Sequence, residues 1–130
     1  MPSPVAHPAA ELPVLLRGTV SGPRAEELAF EPLSAAGRQG VEIHRLYTTA
    51  PAEPEGPAAG IVRYAPGAAT PPPRHSGYEF IYVFSGQLET DAGAHPAGSL
   101  LVMEPGSVHA PRSGPGALLL VVWEKPVSLL

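Results

Sequence analysis

Three side chains in the second half of the chain, His75, Glu79 and His109, have the types and spacing that suit a metal ion. They lie in two glycine-bounded stretches. One is Gly67-Ala-Ala-Thr-Pro-Pro-Pro-Arg-His75-Ser-Gly-Tyr-Glu79-Phe-Ile-Tyr-Val-Phe-Ser-Gly86, and the other is Gly98-Ser-Leu-Leu-Val-Met-Glu-Pro-Gly106-Ser-Val-His109-Ala-Pro-Arg-Ser113. Neutral imidazole nitrogen and carboxylate oxygen are ligands that divalent zinc, iron, manganese or nickel accept. Two histidines and one carboxylate also leave coordination positions open, which a catalytic metal needs.

The spacing constrains the backbone. Phe80-Ile-Tyr-Val-Phe84 is aromatic and β-branched, which favours a strand after Glu79. Along a straight strand, four residues span about 13 Å, whereas a ligand atom sits only about 2 Å from its metal. A shared metal therefore requires a bend between His75 and Glu79, and Ser76-Gly77 is where the chain could make it. The alternative is a histidine in a loop and a glutamate on a solvated strand face, and spacing alone leaves both open. The run Pro71-Pro-Pro73 is stiff and would deliver His75 at a defined angle, or act only as a spacer.

Past the bend, Glu79, Ile81 and Val83 share one strand face and Tyr78, Phe80, Tyr82 and Phe84 share the other. With Glu79 inward, four aromatics point outward, a stripe that marks a partner surface or is buried under the N-terminal arm. The remaining elements are also strands. Residues 40–49 place Val41, Ile43, Arg45 and Tyr47 on one face and Glu42, His44 and Leu46 on the other. His44 beside Glu42 is expected on a solvated face rather than in a second metal site. Further strands are expected over 28–33, over 60–65 ahead of a turn at Pro66-Gly67, and over 99–103. A hairpin turns near Asp91-Ala-Gly93 and leaves His95 solvent-exposed, while 117–124 is apolar on both faces and so buried on both. Trp123 is expected in the core. Residues 50–60 form a proline-rich loop, 13–18 a first edge strand, and 23–28 one helical turn with Pro23 at its first position. Residues 1–13, with four prolines and His7, read as a flexible arm before a single domain over 14–130.

Composition narrows the function. A net charge of −4 without a basic run argues against nucleic acid as a partner. The absence of cysteine excludes disulfides and thiolate metal sites, and is compatible with the cytoplasm, where the protein is expected. No apolar run approaches a membrane span, and the first residues lack the pattern of a signal peptide. Eighteen prolines and fourteen glycines disfavour helix and point to an all-β sandwich or barrel. Neither a nucleotide-binding loop nor a nucleophile elbow is present.

The two glycine-bounded stretches resemble the paired motifs of the cupin superfamily. The first motif, Gly, five residues, His, one, His, three or four, Glu, six, Gly, falls on Gly67, His75, Glu79 and Gly86. The second, Gly, five, Pro, one, Gly, two, His, three, Asn, falls on Gly98, Gly106 and His109. Residues 105–113 further resemble the ChrR-like cupins, named for the metal-binding half of a zinc-dependent anti-sigma factor. Three positions depart from the pattern: Pro73 replaces the leading histidine, Glu104 the motif proline and Ser113 the closing asparagine.

The resemblance implies a cupin-type double-stranded β-helix, or jelly-roll barrel, with the site inside. It leaves three of the usual four ligands, His75, Glu79 and His109, for a divalent ion (Fe, Zn, Mn or Ni). It implies a homodimer as the use of the outward aromatics. Two functions follow. One is a metal-dependent enzyme on a small organic molecule, a dioxygenase in the manner of related diketone-cleaving cupins. The other is a non-catalytic ligand-binding or sensor domain of the ChrR-like kind. The N-terminal half shows neither a separate helical sigma-binding domain nor a Cys/His zinc cluster, so a free-standing anti-sigma factor is not expected. Arg45 and Arg63 are candidates for holding an anionic substrate if their faces turn inward; otherwise each forms an exposed ion pair. Glu104 is a candidate general base, or a solvated turn residue.

Overall fold

Period-two patterning between glycine and proline breaks produces strands, and no helix, among the described residues. The computed structural model describes residues 28–33, 39–49, 52–54, 56–70, 73–108, 110–125 and 127–129, with only the backbone at 39, 73–75 and 127–129. The expected arm over 1–13, the edge strand over 13–18 and all but the last residue of the turn over 23–28 lie outside them, as does His109. Among the described residues ten strands follow one another: β1 (Glu31–Pro32), β2 (Gln39–Thr48), β3 (Ala58–Ala69), β4 (Pro73–His75), β5 (Glu79–Thr90), β6 (Gly93–Pro96), β7 (Leu100–Met103), β8 (Arg112–Ser113), β9 (Ala117–Trp123) and β10 (Val127–Leu129).

All pairings are antiparallel. The first halves of β3 and β5 flank β9, with β2 and β1 beyond β3 and β7 beyond β5. The second halves of β3 and β5 pair with β8, and β5 also pairs with β6. β4 and β10 form a separate two-stranded sheet. Two long strands that each serve both layers close the sheets into an all-β barrel of the jelly-roll type.

Both long strands need a place to bend. In β5 the register with β9 shifts between Val83 and Ser85, and Gly86 follows with φ 75°. A Cβ at Gly86 would collide with the carbonyl oxygen of Gly116, so glycine is required twice over there. In β3 the expected turn at Pro66-Gly67 is instead a bend within one longer strand. The ladder with β9 ends at Tyr64 and that with β8 starts at Ala68. Pro66, which has no N–H to give, occupies the gap between the two ladders.

The core lies between the layers. Ile43, Val62, Leu119 and Val83 form one inward row across four strands, each at most 3% exposed. Val41, Tyr64, Ile81, Leu88 and Val121 pack around this row. Each such side chain contributes about 1.5–3 kcal/mol on full burial, so this row defines which face of every strand is inside. The prediction that β9 is buried on both faces holds for Ala117 to Leu119. Toward its end the outward Leu120 and Val122 are only half-buried, because the sheet face outside them is open; Trp123, on the inward side opposite Glu79, is half-buried as well.

Candidate functional site

The bend that a metal shared by His75 and Glu79 would require is present. β4 ends at His75, the chain bends at Ser76 and Gly77, and β5 starts at Glu79 in the other sheet. The opposite strand turns the same corner, since His75 pairs with Val127 and Glu79 with Trp123. Glu124 holds the corner from both ends: its backbone N–H donates to the Tyr78 carbonyl at 2.9 Å, and its carboxylate accepts the Tyr78 N–H at 3.0 Å. Gly77 packs against this residue. A Cβ there would lie 3.0 Å from the Glu124 carboxylate and 3.1 Å from Lys125, so any side chain would press on the corner.

Glu79 points inward. It is 8% exposed and shares its face with Ile81 at 3% and Val83 at 0%, while Tyr78 and Phe80 beside it are 45% and 48% exposed. Its cross-strand neighbours are Trp123 on β9 and Met103 on β7. A carboxylate in such apolar surroundings must be met by hydrogen-bond donors or by a cation. Trp123, expected in the core, packs half-buried against it.

Met103, directly opposite Glu79, leads into the turn that precedes His109. In that turn the carbonyl of Glu104 accepts the Ser107 N–H at 3.0 Å and the Ser107 hydroxyl at 2.6 Å, and Gly106 has φ 86°. The Glu104 residue itself is exposed. The backbone thus runs from the inward carboxylate toward His75 in one direction, and from its β7 neighbour toward His109 in the other. The side chain of His75 and the whole of His109 lie outside the described residues, and among the described residues no three His, Cys, Asp or Glu side chains gather.

The other candidates have partners. Arg45 Nε donates to Glu31 at 2.9 Å. Arg63 donates to Glu42 through Nε at 3.0 Å and Nη2 at 2.5 Å, and its guanidinium carbon lies 4.0 Å over the Phe30 ring. Arg63 sits between the core residues Val62 and Tyr64 and so faces away from the interior, because successive strand residues alternate. An inward-turned Arg63 is therefore replaced by the ion-pair alternative. Arg45 is on the Val41–Ile43 side of β2, but at its partly exposed end. His44 is half-buried, with Nδ1 2.9 Å from the Ala29 carbonyl. His95 departs from the expected exposure: it is half-buried, with Nε2 2.9 Å from the hydroxyl of buried Thr90. It lies opposite inward Leu88, which draws it to the core side of the hairpin.

Sequence reasoning missed two organising residues. Ser113 is 1% exposed; its hydroxyl donates to the Gln87 carbonyl at 2.5 Å and accepts the Gly116 N–H at 2.8 Å. Its position at the end of the second motif was the available signal. Glu124 had no such signal, because its role depends on a corner formed by two distant strands.

A jelly-roll barrel with an inward carboxylate one bend from a histidine, in this glycine-bounded register, is a cupin barrel. This chain belongs to the ChrR cupin-like family, whose model, described as "ChrR Cupin-like domain", matches residues 23–128. No curated protein sequence matches it significantly. Among solved structures it is similar to the anti-sigma factor ChrR in complex with SigE from Rhodobacter sphaeroides. There the identity is 20% and the TM-score 0.63, over 77% of this chain and 50% of the other. The chain thus spans about half the length of that match. It is also similar to the polyketide cyclase RemF from Streptomyces resistomycificus, at 22% identity and TM-score 0.67 over 82% of both chains. An acetylacetone dioxygenase from Acinetobacter johnsonii matches at 15% identity and TM-score 0.72, over 95% of this chain and 80% of that one. At these identities the likenesses establish the shared fold alone.

Proposed function

We propose that this protein is a single-domain metal-binding cupin that acts on a small organic molecule. His75, Glu79 and His109 hold a divalent first-row ion, one of Fe, Zn, Mn or Ni. The observation that carries this is the burial of the Glu79 carboxylate on the inner face of β5, one bend from His75 and opposite the residue that leads to His109. The donor set fits: hard oxygen and borderline nitrogen, with positions left for water. When bound, such an ion supplies Lewis-acid polarisation or, as iron(II), oxygen activation. The chain's own residues do the positioning. Gly77 and Glu124 fix the angle between His75 and Glu79, and Trp123, Met103 and Ile81 give the carboxylate apolar neighbours that keep bulk water from it.

The reaction class proposed is dioxygenation, supported by the donor set and, at the level of fold, by the likeness to the acetylacetone dioxygenase. Arg45, on the core side of β2, is the arginine this reading offers to an anionic substrate group. The family match favours one second reading, a non-catalytic ligand-binding or sensor cupin. Oxygen uptake by iron-loaded protein given acetylacetone and related β-diketones separates the two. Turnover supports the enzyme, whereas stoichiometric metal without oxygen uptake on any of them supports the sensor. The protein is further proposed to be a cytoplasmic homodimer, with residues 14–130 as the barrel domain and 1–13 as an arm. Supporting this are the absence of cysteine and an apolar outer face. Among the described residues no helix is long and apolar enough to cross a membrane.

A further inference from the structure

The bend in β3 is spanned by a hydrogen bond between two buried side chains. The Tyr64 hydroxyl lies 2.9 Å from the Thr70 hydroxyl, and each residue is 7% exposed. Tyr64 is the last residue paired with β9, and Thr70 follows the two residues paired with β8, so the bond crosses Pro66 and Gly67 from one half of the strand to the other. The Tyr64 end is fixed. Its ring belongs to the core, and its backbone is paired with Val41 on one side and Ala117 on the other. The Thr70 end is where the segments bearing the proposed histidine ligands begin. Its N–H donates to the Pro111 carbonyl at 2.9 Å, and His109 is two residues from Pro111. Pro71, Pro72 and Pro73 follow and have no N–H, so Thr70 is the last backbone donor before Arg74 and His75. Glu79 belongs instead with the Tyr64 half, since both residues lie on strands that flank β9.

We propose that Tyr64 and Thr70 are positioning residues for the metal: their hydroxyl pair sets the angle at which the two histidine-bearing segments meet the layer that carries Glu79. This rests on the metal-binding reading above and adds to it the residues that orient its ligands. Distances at such an ion hold to within about 0.2 Å. His75 is up to about 17 Å of chain beyond Thr70, so a change of about 4° at the bend displaces it by about 1 Å. The backbone does not supply this restraint. Pro66 has no N–H, and the Gly67 N–H donates to the Gly114 carbonyl at 3.1 Å, which joins β3 to the residue after β8 and not one half of β3 to the other. The Tyr64–Thr70 bond does join the halves, and its burial keeps water from competing for either hydroxyl.

The test uses cobalt(II), which takes the same nitrogen and oxygen donors and reports its ligand geometry through its visible absorption. Tyr64→Phe and Thr70→Val each remove one hydroxyl at nearly constant volume, whereas Thr70→Ser keeps it. For these variants and the unaltered chain, cobalt(II) affinity is measured by competition with a chromophoric chelator, and metal-free stability by thermal unfolding. Tyr64→Phe and Thr70→Val should weaken cobalt(II) binding by about tenfold to a hundredfold and shift the visible bands, and Thr70→Ser should match the unaltered chain in both. The two disruptive variants break the pair from opposite ends, so if circular dichroism shows that one does not fold, the other decides. Variants that unfold at a lower temperature yet bind cobalt(II) with unchanged affinity and spectrum overturn the proposal and leave the metal site standing. Thr70→Ser binding as weakly as Thr70→Val also overturns it. An unaltered chain that takes up no cobalt(II) overturns the metal-binding reading and this proposal with it.

Discussion

Gly67 and Gly86 occupy equivalent-looking motif positions and nearly the same backbone conformation, φ 82° and 75°, yet alanine should affect them very differently. At Gly67 nothing lies within 4 Å of where an added methyl carbon would sit, so only the left-handed backbone resists the change. That conformation costs an alanine about 1–2 kcal/mol, partly offset by the ~0.4–1 kcal/mol that alanine removes from the entropy of the unfolded chain. Gly67→Ala should therefore destabilise by about 1 kcal/mol. At Gly86 the same cost is joined by a collision with the Gly116 carbonyl oxygen, which accepts the Gln87 N–H at 3.1 Å. Displacing that oxygen weakens a hydrogen bond worth about 1 kcal/mol and adds about 1–3 kcal/mol of overpacking. The total for Gly86→Ala is about 3–5 kcal/mol. At about 4 °C per kcal/mol for a domain of this size, the midpoints should fall by ~4 °C and ~12–20 °C respectively. Thermal unfolding followed by circular dichroism reads both. Equal shifts, or a larger one at Gly67, would refute the argument that β5 and the β8–β9 connection meet at this bend.

The other predictions concern the site and its supports. His109→Ala should sharply lower the metal content of the purified protein, read by elemental analysis, while leaving its assembly state unchanged. Pro73→His should tighten metal binding by adding a fourth ligand, measured by competition with a chromophoric chelator; unchanged affinity would mean that residue 73 does not face the ion. Ser113→Ala removes the hydroxyl that accepts the buried Gly116 N–H, and should cost about 1–3 kcal/mol in urea unfolding. A cost near zero would show that this hydroxyl does not organise the turn.

The parts of the fold that the sequence revealed are those set by local alternation. The inward set Glu79, Ile81 and Val83 and the exposed Tyr78 and Phe80 follow from period two alone, and the bend at Ser76-Gly77 follows from the reach of a metal's ligands. Long-range partners were not legible. Pro66-Gly67 looks like a chain reversal until β8 is seen to take over from β9 as the partner of β3. His95 looks exposed until its neighbour Leu88 proves to face the core. The exposure of Leu100 and Val102 was not legible either, because a run of apolar residues does not say which face is open. In the candidate site, the inner face that the motif register implies for Glu79 is the one it occupies. The contribution of Glu124 required the two strands of the corner to be brought together.

The central claim is that Glu79 turns inward to hold a metal with His75 and His109. Elemental analysis of the protein purified without added metal or chelator tests it most directly. The account predicts near-stoichiometric iron, manganese, nickel or zinc, lost on substitution of any one of the three residues. Protein that carries no metal, and takes up none when each ion is supplied, would contradict it and leave the barrel a binding module without a metal centre.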